Sequence, residues 1–228
     1  ANIYLNRYGV KVGKRTVVYT GNDSAYQSAI SLSEAGIEVS ILDTRAETPG
    51  PLPQKALEKG IEVLHEQAIV ATRGRLRIES IEVMSLSDDA NSVSGAAQRI
   101  ECDSLLMSGG WSPTVHLFSQ SQGKLRYDNR IGAFCPGTSV QRQRSVGSCN
   151  GAFDLASCLH EGWQAGIDAA ADAGLSGTKS GEAPQAEPTE TGDPRFVWLI
   201  PTSDPIGQGG KHFVDFQNDS TAADIQLA

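Results

Sequence analysis

Residues 15–44 read RTVVYTGNDSAYQSAISLSEAGIEVSILDT. Gly21 closes an apolar strand (Thr16–Tyr19), and Asp43 ends a second one (Glu38–Leu42) about twenty positions later. A helical stretch from Asp23 to Ala35 lies between them, with Gly36 as its stop. Strand, glycine turn, helix and a strand ending in an acid are the parts of a dinucleotide-binding βαβ unit. The turn and the helix N-terminus offer amides to a pyrophosphate, and the acid accepts ribose hydroxyls. The fingerprint itself is broken. Reading G-x-G-x-x-G from Gly21 puts Asp23 at the second glycine and Tyr26 at the third. A carboxylate at the second adds bulk and like charge beside a pyrophosphate, and a tyrosine at the third obstructs close helix–strand packing. The expectation is a βαβ kept for structure rather than for a nucleotide of its own.

A second place with anion-binding chemistry is Ser145–Cys149 (SVGSC). It reads as a strand entering Asn150–Gly151 and a long helix from Ala152 to Ala173. Phe153, Ala156, Leu159, Trp163 and Ile167 recur there at helical spacing. A strand ending in small residues at a helix N-terminus presents free N–H groups and the positive end of the dipole.

The elements that must position these residues are legible between and after them. Pro49–Pro53 breaks the chain, Gln54–Lys59 is a short helix closed by Gly60, and Ile61–Leu64 is a strand. Ala68–Thr72 and Leu76–Leu86 read as paired strands joined at Arg73–Arg75, from the alternation of Leu76, Ile78, Ile81 and Val83. Asp88–Ala97 reads as a polar loop and Ile100–Met107 as a returning strand; short strands follow at Leu125–Tyr127 and Arg130–Phe134. Residues 175–194, rich in Gly, Ser, Thr, Pro and Glu, read as a solvent-exposed linker. Phe196–Ile200 and Phe213–Phe216 follow as strands, and 219–228 as a helix start capped at Ser220 or Thr221. The chain is expected to begin without an element and to end inside one, as an excerpt of a longer polypeptide.

Composition bounds the rest. The 228 residues carry a net charge of −8, which disfavours nucleic acid and anionic membranes as partners. No apolar run approaches the roughly 18 residues of a membrane span. Cys102, Cys135, Cys149 and Cys158 form no C-x-x-C and pair with no spaced histidine, so no metal site is expected. Cys102 and Cys149 read as small buried thiols, and cysteine use points to a reducing, cytoplasmic compartment. No nucleophile elbow and no isolated carboxylate pair marks a catalytic residue.

Four segments carry a resemblance: NIYLNRYGVKVGKRTVVYTGNDSAY, SLLMSGGWSPTVHLFSQSQGKLRYD, VGSCNGAFDL and KHFVDFQNDSTAADIQLA. Together they resemble the alpha subunits of heterotetrameric sarcosine oxidases. The fold implied is α/β, a Rossmann-like domain of glutathione-reductase type (FAD/NAD(P)-binding-like) with an antiparallel meander. The start of a small α+β module like an iron–sulfur cluster domain follows it. Implied boundaries are 1–13, the tail of an upstream nucleotide-binding domain; 14–108, an inserted NAD(P)-type domain; and 109–174, the return segment of the first domain. The linker 175–194 and the degenerate cluster-like start 195–228 complete the chain.

The activity implied is oxidative demethylation of sarcosine to glycine with hydrogen peroxide and, with tetrahydrofolate, methylenetetrahydrofolate. The resemblance implies NAD on alpha, FAD on beta, FMN between alpha and beta, and beta, gamma and delta subunits as partners. The tetrahydrofolate module would lie downstream. In this chain the dinucleotide contacts implied are Val146, Gly147, Ser148, Gly151 and Phe153, with no catalytic residue. Cluster thiolates would fall near Asp215 and Gln217, which are neither soft nor equivalent ligands. Two other readings stay open: an NAD(P)H-binding reductase domain that delivers hydride to a flavin, and a subunit-interaction module that binds no nucleotide.

Overall fold

The computed structural model describes residues 1–47, 49–175, 181–187, 191–202, 204–208 and 211–228. The chain divides into two compact units, one of Ala1–Gly109 with Arg195–Ala228, the other Gly110–Pro194.

In the first unit a helix α1 (Asn2–Tyr8) precedes β1 (Arg15–Thr20), α2 (Ser24–Glu34), β2 (Glu38–Asp43), α3 (Pro51–Glu58) and β3 (Glu62–His65). A meander of β4 (Gln67–Arg73), β5 (Ser80–Leu86) and β6 (Val93–Glu101) leads to β7 (Ser104–Ser108). The main sheet has the order β3-β2-β1-β7 with all pairs parallel, and β4-β5-β6 forms a separate antiparallel sheet. Strand alternation divides the core. Val18 and Ile41 face α2, where they meet Ala25, Ala29, Ile30 and Leu32. Val17, Tyr19 and Leu42 face the other way and pack with Ile81, Val83 and Cys102 of the meander side. With both faces covered, β1 and β2 must read as nearly continuous apolar runs, as they do.

The second unit holds α4 (His116–Gln120), an antiparallel pair of β8 (Lys124–Asp128) and β9 (Ala133–Thr138), a 3-10 turn (Gly147–Asn150) and α5 (Leu155–Asp172). The remaining stretch of the first unit ends in β10 (Phe213–Asp215), β11 (Ser220–Thr221) and α6 (Ala222–Leu227). A capping box at Thr221 and Asp224 starts α6.

The α/β class, the parallel βαβ and the antiparallel meander agree with expectation; several local assignments do not. The chain opens on α1 rather than without an element. Pro51 begins α3 instead of breaking the chain, because a first-turn proline lacks only an N–H that would have no partner there. Leu76 lies outside β5 and is 95% exposed, and β6 starts at Val93, so the polar loop is shorter than expected. Residues 100–107 are two strands in two sheets. The break falls where Asp103 turns back to accept the Lys14 and Arg15 N–H groups, at 2.9 Å for both through Oδ1. Ser145–Cys149 is not a strand, because Gly147 (φ 67°) and Gly151 (φ 97°) coil the chain into the 3-10 turn. That turn leaves Cys149 only half-buried, and α5 begins later than expected, at Leu155 behind the cap of Asp154. Phe196–Ile200 joins no ladder; Phe196 and Trp198 stack on each other at 5.6 Å instead. Residues 176–180 and 188–190 of the expected linker lie outside the described residues.

Ile41→Ala removes a fully buried side chain from the α2 face and should cost about 2–5 kcal/mol. Leu76→Ala should change stability by less than about 0.5 kcal/mol. Urea unfolding of the two variants checks both.

Candidate functional site at the mouth of the parallel sheet

In open α/β sheets, ligands bind beyond the carboxyl ends of the strands. Here that edge is formed by Thr20–Asp23 after β1 and Asp43–Arg45 after β2. Thr20 and Asn22 shape the turn: the Thr20 hydroxyl donates to the Asn22 carbonyl and accepts the Asn22 N–H. Asn22 Oδ1 then accepts the Ser24 N–H at the start of α2.

Asp23 stands at the N-cap of α2 without a side-chain cap bond. Its carboxylate turns to Arg45, with Nη2 at 2.7 Å from Oδ1. Arg45 also grips Asp43, through Nε at 3.1 Å to Oδ1 and Nη2 at 2.8 Å to Oδ2. The Arg45 N–H donates to Asp43 Oδ1 at 2.9 Å, and the Tyr26 hydroxyl donates to Asp43 Oδ2 at 2.8 Å. Asp23, Tyr26, Asp43 and Arg45 are all buried.

The chemistry of this arrangement follows from counting donors. A carboxylate has about four lone-pair sites, and protein donors now fill those of Asp43 on both oxygens. Nothing is left to accept two ribose hydroxyls. Asp23 supplies the negative charge that a helix N-terminus favours, so a phosphate approaching there would meet both like charge and occupied space. Tyr26 uses the third-glycine position to reach Asp43. The residues therefore do not fit a dinucleotide at Gly21.

Burial first, then the field of Asp43 and its hydrogen bond, push the Tyr26 hydroxyl above the ordinary tyrosine range. Burial likewise raises Tyr19, from 10.0 to about 12, with Arg195 working against the shift and Asp43 for it. For Arg45, burial opposes the charge; hydrogen bonds to Asp43 and Asp23 outweigh it and the net direction is upward. A cleft of about 290 Å³ adjoins this network on the β3 side, lined by Tyr26, Pro53, Val63 and His65 among others.

The five residues expected to contact a dinucleotide lie together in the second unit. Val146 is extended and leads into the 3-10 turn, which carries Gly147 and Ser148; Gly151 closes it in the left-handed region. Gly147 N–H donates to Glu161 Oε2 at 2.7 Å, and Asn150 Nδ2 reaches the same oxygen at 3.3 Å. Gly151 packs tightly: an added Cβ would stand 3.1 Å from Ile131 and 3.2 Å from Cys135 Sγ. Phe153 is partly exposed just before Asp154, whose carboxylate accepts the Ser157 N–H at 2.8 Å. The carboxylates of Glu161 and Asp154 thus each hold an amide near this turn.

Sequence analysis singled out neither Arg45 as the partner of the two acids nor Glu161 as a holder of the turn. The available signal for Arg45 was two acids at the ends of doubly covered elements, which cannot be buried without a cation.

No family model matches the chain. It is similar over 99% of its length to the sarcosine oxidase alpha subunits of two Corynebacterium strains, at 38% identity for strain P-1 and 39% for strain U-96. A third, from Rhizobium meliloti strain 1021, is 31% identical over 99% of this chain. The chain spans only 23%, 23% and 21% of these relatives. The resemblance to sarcosine oxidase alpha subunits thus holds along nearly the whole sequence. Among solved structures, thioredoxin reductase of Lactococcus lactis matches with TM-score 0.55 at 17% identity, covering 73% of this chain and 55% of that one. T. acidophilum thioredoxin reductase matches with TM-score 0.52 at 20% identity, covering 73% and 54%. These two share the Rossmann-like fold expected from the sequence.

Removing Arg45 alone would strand two buried carboxylates, so Arg45→Ala should cost about 3–5 kcal/mol, measured by urea unfolding. The tyrosines set an alkaline limit. Both folded pKa values are raised, so their contribution to stability is complete below the unfolded value of 10.0; that of Tyr19 is lost as pH rises through about 12, and that of Tyr26 at higher pH. Unfolding free energy measured across that window should fall more steeply for the native chain than for the Tyr19→Phe/Tyr26→Phe variant.

Proposed function

We propose that this chain is part of the alpha subunit of a sarcosine oxidase, in which the first unit is a structural insert and the second unit contributes to the NAD site. The whole enzyme would be a flavin-dependent oxidoreductase converting sarcosine to glycine with release of hydrogen peroxide. With tetrahydrofolate present, the methyl carbon would leave as methylenetetrahydrofolate. FAD would lie on beta, FMN between alpha and beta, and the partners would be beta, gamma and delta subunits in a cytoplasmic heterotetramer.

The observation that carries the reading for the insert is the saturated Asp43 carboxylate, locked by Arg45 and Tyr26 beside Asp23. A mouth that answers its own acids has no remaining acceptor for a ribose and no space for a pyrophosphate. The reductase alternative, with NAD(P)H at Gly21 passing hydride to a flavin, would require that network to open. In the second unit, Val146, Gly147, Ser148, Gly151 and Phe153 would close over the dinucleotide. The turn would supply backbone donors to phosphate, and Glu161 would hold the turn's shape through Gly147. No residue of the chain is assigned an acid–base or nucleophilic step, and NAD when bound would be held rather than turned over by these side chains.

NAD titrated calorimetrically into the oxidase complex tests the assignment. Ser148→Asp, which sets a carboxylate at the turn, should weaken binding by about tenfold or more, equal to about 1.4 kcal/mol. Tyr26→Phe should leave the affinity unchanged. An affinity that responds to Tyr26→Phe and ignores Ser148→Asp would return the cofactor to the Gly21 mouth.

A further inference from the structure

Asp23, Arg45, Asp43 and Tyr26 fill the inner part of the mouth; its outer rim is covered by a different segment of the same unit. Arg195 N–H donates to the Gly21 carbonyl at 2.8 Å. The Arg195 carbonyl lies so close that a Cβ added to Gly21 would stand 2.2 Å from it. The Arg195 guanidinium spans the opening: Nη1 donates to the Thr44 carbonyl after β2, and Nη2 to the Ser87 and Asp88 carbonyls after β5, the last at 2.8 Å. Five residues on, Ile200 packs against the cluster of Val17, Tyr19 and Leu42. An unladdered segment is therefore pinned at one end by main chain and guanidinium and at the other by apolar contact.

We infer that the mouth of the parallel sheet is an intramolecular docking site, and that its occupant is the segment of residues 195–200. The glycine that would let a pyrophosphate approach here lets the Arg195 main chain approach instead. The guanidinium draws the loops after β2 and β5 together by bonds to carbonyls that neither strand ladder uses. The segment is thereby the anchor that fastens the chain downstream of residue 194 to the Rossmann sheet. This goes beyond the insert's lack of a nucleotide, since an emptied mouth could equally have been left open to solvent.

Amide hydrogen exchange on the oxidase complex tests it, read on peptides covering residues 195–200 and 20–24, with residues 16–19 as the internal control. In the native complex both test peptides should be protected. Arg195→Ala should speed exchange in both by about tenfold or more while the control stays unchanged, because charge-assisted bonds to three carbonyls are lost together. Arg195→Lys should fall between, since an ammonium lacks the planar fork that bridges separate acceptors. Gly21→Ala should release the same segment through the clash with the Arg195 carbonyl, leaving the guanidinium intact. The inference is overturned if residues 195–200 exchange as fast in the native complex as in Arg195→Ala. It is overturned equally if added NAD or NADPH deprotects them, which would make the segment a lid over a working cofactor site. Loss of NAD binding at the Ser148 turn would leave this result untouched.

Discussion

The first unit depends on one buried charge arrangement: two carboxylates, Asp23 and Asp43, held on a single guanidinium. Desolvating three charges is costly, and such a cluster persists only when its lone pairs and N–H groups are nearly all engaged. Arg45 meets that demand by bonding one acid at the N-cap of α2, just past β1, and another at the end of β2. It thereby fixes the spacing of the two strand ends that a dinucleotide would otherwise bridge. Tyr26 completes the set from α2 and ties the helix to β2. The requirements of a nucleotide mouth, an anion at the helix N-terminus and a donor pair on the strand-end acid, are thus satisfied from within the chain.

This explains why the βαβ scaffold can remain regular while its fingerprint is broken. Packing on both faces of the sheet needs only apolar residues on both sides of β1 and β2, and these are present. The second and third glycine positions carry Asp23 and Tyr26, whose side chains go to Arg45 and Asp43. Gly21 is the exception: the Arg195 main chain now sits where a Cβ would go. In the second unit, by contrast, Gly147 and Gly151 serve backbone conformation, with positive φ on either side of one turn.

Much of this was legible in the sequence, for physical reasons that differ by element. β1, α2 and β2 were readable to within a residue because burial on both faces imposes continuous apolar strands and Gly36 stops the helix sharply. The broken fingerprint was readable because glycine positions are defined by offset. The network at the mouth was not, since Arg45 and Arg195 act through contacts 22 and 151 residues distant. Phe196–Ile200 looked like a strand because its residues are apolar and β-prone, yet propensity does not specify a partner edge, and this segment finds a sheet mouth instead. The strand expected at Ser145–Cys149 failed for the opposite reason: two glycines in the left-handed region outweigh a short apolar pattern.

The most direct test of the account is a crystal structure of the full-length protein grown with NAD. Dinucleotide density should lie along the turn of residues 146–153, with Asp23, Arg45 and Asp43 still joined and residues 195–200 still across Gly21. Density for a pyrophosphate against Gly21, with Arg45 swung away from Asp43, would contradict it.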